Sequence, residues 1–142
     1  MRISSLRVDG FGIFHEQEAS GFAPGLNLFL GDNEAGKSTL LGFIRAVLFG
    51  FPRANSRDPS YPPLAGGVHG GRINVVTSGG RTFAVERKPG KGGGEVTVSG
   101  PTGSEGSDDT LQQLLAGITY EAFRNVYAFS LKIGRASCRE RV

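Results

Sequence analysis

Gly31-Asp32-Asn33-Glu34-Ala35-Gly36-Lys37-Ser38-Thr39 fits the phosphate-loop pattern of a glycine, four free positions and then Gly-Lys-Ser/Thr. Each fixed position has a physical job. Gly31 and Gly36 let the backbone turn back and gather successive N–H groups around a phosphate chain. Lys37 carries a point charge that can reach the β- and γ-phosphates, and the Ser38 hydroxyl can ligate Mg²⁺. A helix opening near Lys37 adds the positive end of its dipole. The nucleotide site is therefore assigned to Gly31, Asn33, Glu34, Ala35, Gly36, Lys37, Ser38 and Thr39, with ATP as ligand and Mg²⁺ on Ser38.

The flanks decide whether the match has meaning, since roughly half a percent of chains this long would carry one by accident. Before the loop, Gly25-Leu26-Asn27-Leu28-Phe29-Leu30 reads as a short apolar strand entered by a Pro24-Gly25 turn. After it, Leu40, Leu41, Phe43, Ile44, Val47 and Leu48 predict a helix apolar almost all round, stopped at Gly50 and Pro52. Strand, glycine loop and buried helix form the context that a phosphate loop requires.

Outward from that centre the chain is β-rich. Strands are expected at Arg2–Val8, across Phe11–Phe14 toward Ala19, and at Arg72–Thr77, Arg81–Arg87 and Glu95–Ser99. Gly79-Gly80 makes a tight hairpin, and Pro89–Gly94 a looser turn. Residues 52–71 form a long Pro/Gly-rich connection. Ser107–Ala116 reads as a capped helix with Asp108 and Asp109 in its first turn and Gly117 at its end. Thr119 caps a short helix through Arg124, followed by an apolar strand at Val126–Phe129.

The end of the chain reads differently. Ile133-Gly-Arg-Ala-Ser-Cys-Arg-Glu-Arg-Val142 matches, codon for codon, the translation of a common short-read sequencing adapter. The expected biological segment is therefore 1–131, with 132–142 a non-native tail set aside from fold reasoning. Taking Lys132, Arg135, Arg139 and Arg141 from sixteen basic residues, and Glu140 from thirteen acidic ones, leaves twelve of each. The net charge of +3 becomes zero, so the basic balance is no argument for nucleic acid or a membrane surface. The sole cysteine, Cys138, leaves with the tail, and with it any disulfide framework. No apolar run approaches the ~20 residues of a membrane span, and a cytoplasmic protein is the expectation.

Leu6-Arg7-Val8-Asp9-Gly10-Phe11-Gly12-Ile13-Phe14, Pro24-Gly25-Leu26-Asn27, the phosphate loop and Leu48-Phe49-Gly50 together resemble the N-terminal half of an SMC-type ATPase head. The similarity is to the YhaN-like group of AAA/ABC-type ATPases, relatives of RecF and SbcC. It implies an α/β P-loop NTPase fold: a partial ABC/SMC-type lobe with an antiparallel β meander at about 72–99 and a helical segment at about 107–125. It also implies a C-terminal half that completes the head, a second head as homodimeric partner, and a role in DNA repair or chromosome maintenance. Any contact with DNA rests on the resemblance alone.

Two family parts have no counterpart. Ile118–Tyr127 resembles the approach to the Q-loop, but Tyr127-Ala128-Phe129-Ser130-Leu131 holds no glutamine. No Asp or Glu closes a long apolar strand, so the acidic Walker B pair is missing and no catalytic set is complete; Lys37 supplies charge only. Ser78-Gly79-Gly80 is read as a hairpin rather than a signature motif, because a strand follows it. The remaining candidates read as ordinary structure: Arg53 and Arg57 as loop arginines, His15 and His69 without partners, Gly90–Gly94 with Lys91 as a turn, and Phe11 and Phe14 as packing aromatics. Two other functions stay open beside the ATPase: a nucleotide-binding regulatory module without turnover, and an ABC transporter subunit.

Overall fold

A computed structural model describes residues 1–128. The expected tail and the end of the predicted Val126–Phe129 strand lie outside those residues.

Six strands form one sheet in the order β2-β1-β3-β4-β5-β6, antiparallel throughout. They run β1 Arg2–Phe11, β2 Phe14–Ala19, β3 Gly70–Val76, β4 Thr82–Lys88, β5 Glu95–Gly100 and β6 Gly103–Gly106. The meander is thus not a separate layer beside the phosphate-loop lobe. It continues the sheet that β1 and β2 begin.

Alternation assigns the faces. Leu6, Val8, Ile73, Val75, Phe83, Val85, Val96 and Val98 point into the core, while Arg7, Arg72 and Glu86 lie in register on the outer face. Between Val8 and Gly10 a bulge sets two β1 residues against one of β3 and reverses the alternation. Phe11 thereby joins the core and meets Phe43 edge-on, with centroids 5.6 Å apart. Burying a side chain of that size stabilises by about 2–3 kcal/mol.

One helix covers the inner face. This is α1, Lys37–Phe49, which packs across β3 and β4 with Phe43, Ala46, Val47 and Leu48 buried, and ends on left-handed Gly50. At Gly42 the Tyr61 ring lies so close that an added Cβ would come within 2.6 Å of it, which is why a helix interior carries glycine here. The 52–69 connection is tied to the β1–β2 turn by Gly12 N–H to the Tyr61 carbonyl and by Leu64 N–H to the Gly12 carbonyl.

Four expectations are corrected. Leu26–Leu30 is extended but joins no strand of the sheet; Leu26 is 92% exposed, Leu28 74% and Leu30 85%. An apolar run becomes a strand only where a partner supplies a ladder, and no described residue does so. The helix expected at Ser107–Ala116 is shorter, α2 Asp108–Leu114, and the Ser107 side chain makes no cap bond. Thr119 does cap, accepting from Ala122 N–H, but the helix expected through Arg124 is α3 Tyr120–Ala122 followed by a π turn, Phe123–Tyr127, which runs on through Val126 and Tyr127 where the strand was expected to begin. β6 was not foreseen.

His69 is not an idle loop residue. It stacks between Phe11 and Phe51, at 5.2 and 4.7 Å, with Nε2 sealed from solvent and unpaired among the described residues. Burial pushes its pKa below the usual histidine value, against the opposing pull of backbone bonds at Ser60 and Tyr61. The folded state therefore resists the proton that the unfolded chain accepts below about pH 6.5. Stability is expected to fall as pH drops through that value, with a slope of at most about 1.4 kcal/mol per pH unit. Denaturant midpoints of the parent and His69→Phe chains across pH 5–8 check this; the variant should lack that part of the slope.

Candidate functional site

The phosphate loop begins where the extended segment ends. Asn27 fixes the approach: its side chain accepts from Ala23 N–H at 2.8 Å and donates to the Ala23 and Gly25 carbonyls. Asp32 then closes a turn, its carbonyl accepting from Ala35 N–H at 3.1 Å, while Glu34 adopts a left-handed φ of 71°. That conformation is uncommon outside glycine and is typical of ligand-gripping loops.

Gly36 is the hinge of the site. Its φ is 93°, and a Cβ there would come within 2.7 Å of Phe14 and 2.9 Å of Ile13. The β1–β2 hairpin thus presses on the loop from one side, which gives Ile13 and Phe14 a positioning role that packing alone did not suggest.

Directly after Gly36, α1 opens without a side-chain cap and without an acidic residue in its first turn. The first N–H groups of a helix have no intrahelical acceptor, and here neither a cap nor a carboxylate competes with an incoming anion. Lys37 and Ser38 are exposed. The Lys37 ammonium folds back on its own loop, donating to the Gly31 carbonyl and, at 2.9 Å, to the Asp32 carbonyl. Thr39 is buried, with its methyl beneath Gly12. Gly31, Asn33, Glu34 and Ala35 are exposed around the same turn.

These residues fit a polyphosphate. Uncapped N–H groups, a left-handed glycine and a lysine held only by neutral carbonyls form a cradle for an anion. Ser38, exposed in the first turn of α1, would be the residue to offer an oxygen to a Mg²⁺ bound with the nucleotide, and phosphate oxygens and water ordinarily complete such a shell. Among the described residues no group of three His, Cys, Asp or Glu gathers to hold a metal by itself.

A family model described as an AAA domain matches residues 1–136. The chain belongs to the AAA domain family. It is also 30% identical over 131 residues to "Uncharacterized protein YhaN" of Bacillus subtilis (strain 168). That alignment covers 92% of this chain and 13% of the relative, so the chain spans a small part of the protein it matches. The family and the geometry agree on a nucleotide-binding, ATPase-like domain of the P-loop kind, and among the described residues no helix is long and apolar enough to cross a membrane.

Sequence reasoning missed the buried cation behind the site. Arg87, on β4, is 5% exposed and donates Nε–H to the Val47 carbonyl, Nη1–H to the Gly94 carbonyl and Nη2–H to Asp108. It fastens the C-terminal turn of α1 to the β4–β5 turn and to α2. Burial lowers its pKa, and Asp108 opposes that shift. The signal was present: Phe83, Val85 and Arg87 share one parity, so a charge stood at an inward position.

Proposed function

We propose that this chain is the ATP·Mg²⁺-binding lobe of an SMC/YhaN-like ATPase. The observation that carries the reading is the uncapped N-terminus of α1, hinged on left-handed Gly36 with Lys37 and Ser38 exposed beside it. In this reading the first-turn N–H groups and Lys37 hold the β- and γ-phosphates, Thr39 contributes only its backbone, and Ser38 would hold a Mg²⁺ that, when bound, would supply positive charge beside the terminal phosphate. The whole protein would couple hydrolysis to engagement of two such heads, with DNA repair or chromosome maintenance as the setting and the cytoplasm as the place.

The exposed Leu26–Leu30 segment supports an intramolecular partner. Four large apolar side chains beside a phosphate loop, left without a ladder, suit a sheet completed by the rest of the longer protein.

Hydrolysis needs a carboxylate to hold Mg²⁺ or orient water and a further charge on the γ-phosphate, and the phosphate loop with Lys37 and Ser38 supplies only part of that set. The purified chain is therefore expected to bind MgATP with one site in titration calorimetry while showing no turnover above background. Turnover that Lys37→Ala abolishes would contradict the partial-lobe reading. A full-length protein that binds MgATP but never hydrolyses it would favour the regulatory module.

A further inference from the structure

A cavity of about 930 Å³ lies on the Ser38 side of α1, between that helix, the 51–61 loop and the 120–128 segment. Its lining includes three guanidinium groups, Arg45, Arg57 and Arg124, against one carboxylate, Asp58. That carboxylate is already engaged, because Tyr120 donates its hydroxyl to Oδ2 at 2.5 Å. Arg124 Nη1 stands 4.0 Å from Oδ1, beyond hydrogen-bond range. Arg45 spends Nη2 on the Ala128 carbonyl at 2.9 Å, and its Nε, sealed from solvent, has no acceptor among the described residues. Arg45, Arg124, Asp58 and Tyr120 all line this one cavity, with Asp58 between the Tyr120 hydroxyl and Arg124.

A buried donor without an acceptor is uncommon, and two guanidinium charges in excess of the local carboxylate favour a multiply charged anion. We propose that this cavity is an oxyanion site, formed around Arg45 and Arg124, that takes inorganic phosphate. Phosphate matches in charge, carrying close to two negative charges at neutral pH, and in donor geometry, since guanidinium forks bind its oxygens pairwise. Ser38 lines the same cavity. A phosphate cleaved from nucleotide on the loop would enter it directly; that source rests on the proposed function, whereas the binding chemistry stands apart from it.

The test titrates inorganic phosphate, with acetate at equal ionic strength as control, into the full chain and into Lys37→Ala, following ³¹P line broadening and melting temperature. Lys37→Ala weakens the loop's own phosphate grip and so brings out the cavity's share of the binding. Phosphate is expected to bind that variant as it binds the parent, and at least about tenfold more weakly once Arg45→Gln and Arg124→Gln are added. If the double change unfolds the chain, Arg124→Gln alone, at a partly exposed side chain, should still weaken phosphate severalfold. Phosphate binding that disappears with Lys37→Ala and ignores both arginines would overturn the proposal. So would Arg45- and Arg124-dependent binding of a short single-stranded oligonucleotide in a chain that ignores free phosphate. MgATP titrations of the arginine variants keep the two readings apart: nucleotide binding should persist in them, and its absence in the parent would sink the nucleotide site without touching the cavity.

Discussion

Lys37→Ala is expected to weaken MgATP binding at least tenfold, about 1.4 kcal/mol. The described conformation shows why the side chain is available. Its ammonium is held by the Gly31 and Asp32 carbonyls, both neutral acceptors of its own loop. Phosphate oxygens offer a charged acceptor, which adds the attraction between opposite charges to bonds that the ammonium already makes as a charged donor. Binding then exchanges weak partners for strong ones, with little rearrangement beyond the side chain. Alanine removes that exchange but leaves Gly36 and the uncapped turn of α1, so affinity should fall without vanishing. Ser38→Ala should act otherwise, reducing the gain that Mg²⁺ gives while sparing metal-free ATP. Titration calorimetry with and without Mg²⁺ separates the two. Parent-like MgATP binding by both variants would remove the site assignment.

What could be read from the residues, and what could not, follows the range of the forces involved. The phosphate loop, α1 and strands β3 to β5 are local: their glycines, periodicities and hairpin turns sit within a few residues of one another. Leu26–Leu30 carried strand composition, but a strand is a relation between two segments, and no described residue pairs with it. β6, Gly-Ser-Glu-Gly, offers no apolar alternation and exists only because β5 presents an edge. The cavity cluster was illegible for a similar reason. Asp58 and Tyr120 are 62 positions apart, and Arg45 and Ala128 are 83 apart, so nothing local announces either contact. The candidate site divides along the same line: its phosphate grip was legible, while the hairpin pressing on Gly36 and the walls beside Ser38 emerged only from the fold.

Arg87→Met should be strongly damaging to the scaffold, lowering stability by about 3 kcal/mol and the melting temperature by roughly 10 °C. Methionine fills similar volume and removes the cost of burying a charge, which works in favour of the variant. Against it stand the Val47 and Gly94 carbonyls, each losing a charged donor, with bonds of this kind worth about 1.5–3 kcal/mol. The Asp108 contact adds little, because that carboxylate is 69% exposed and solvent screens the pair. Asp108→Asn is accordingly expected to cost under about 1 kcal/mol, and Arg87→Lys, which cannot reach three acceptors at once, should fall between the two. Val47 lies in the last turn of α1, whose first turn, opening at Lys37, is the phosphate cradle about 15 Å away along the axis. At temperatures where Arg87→Met remains folded, its MgATP affinity should stay close to that of the parent, since the Gly36 hinge is held independently by Ile13 and Phe14. A melting temperature within about two degrees of the parent would show that the buried guanidinium is not what fastens the helix to the sheet.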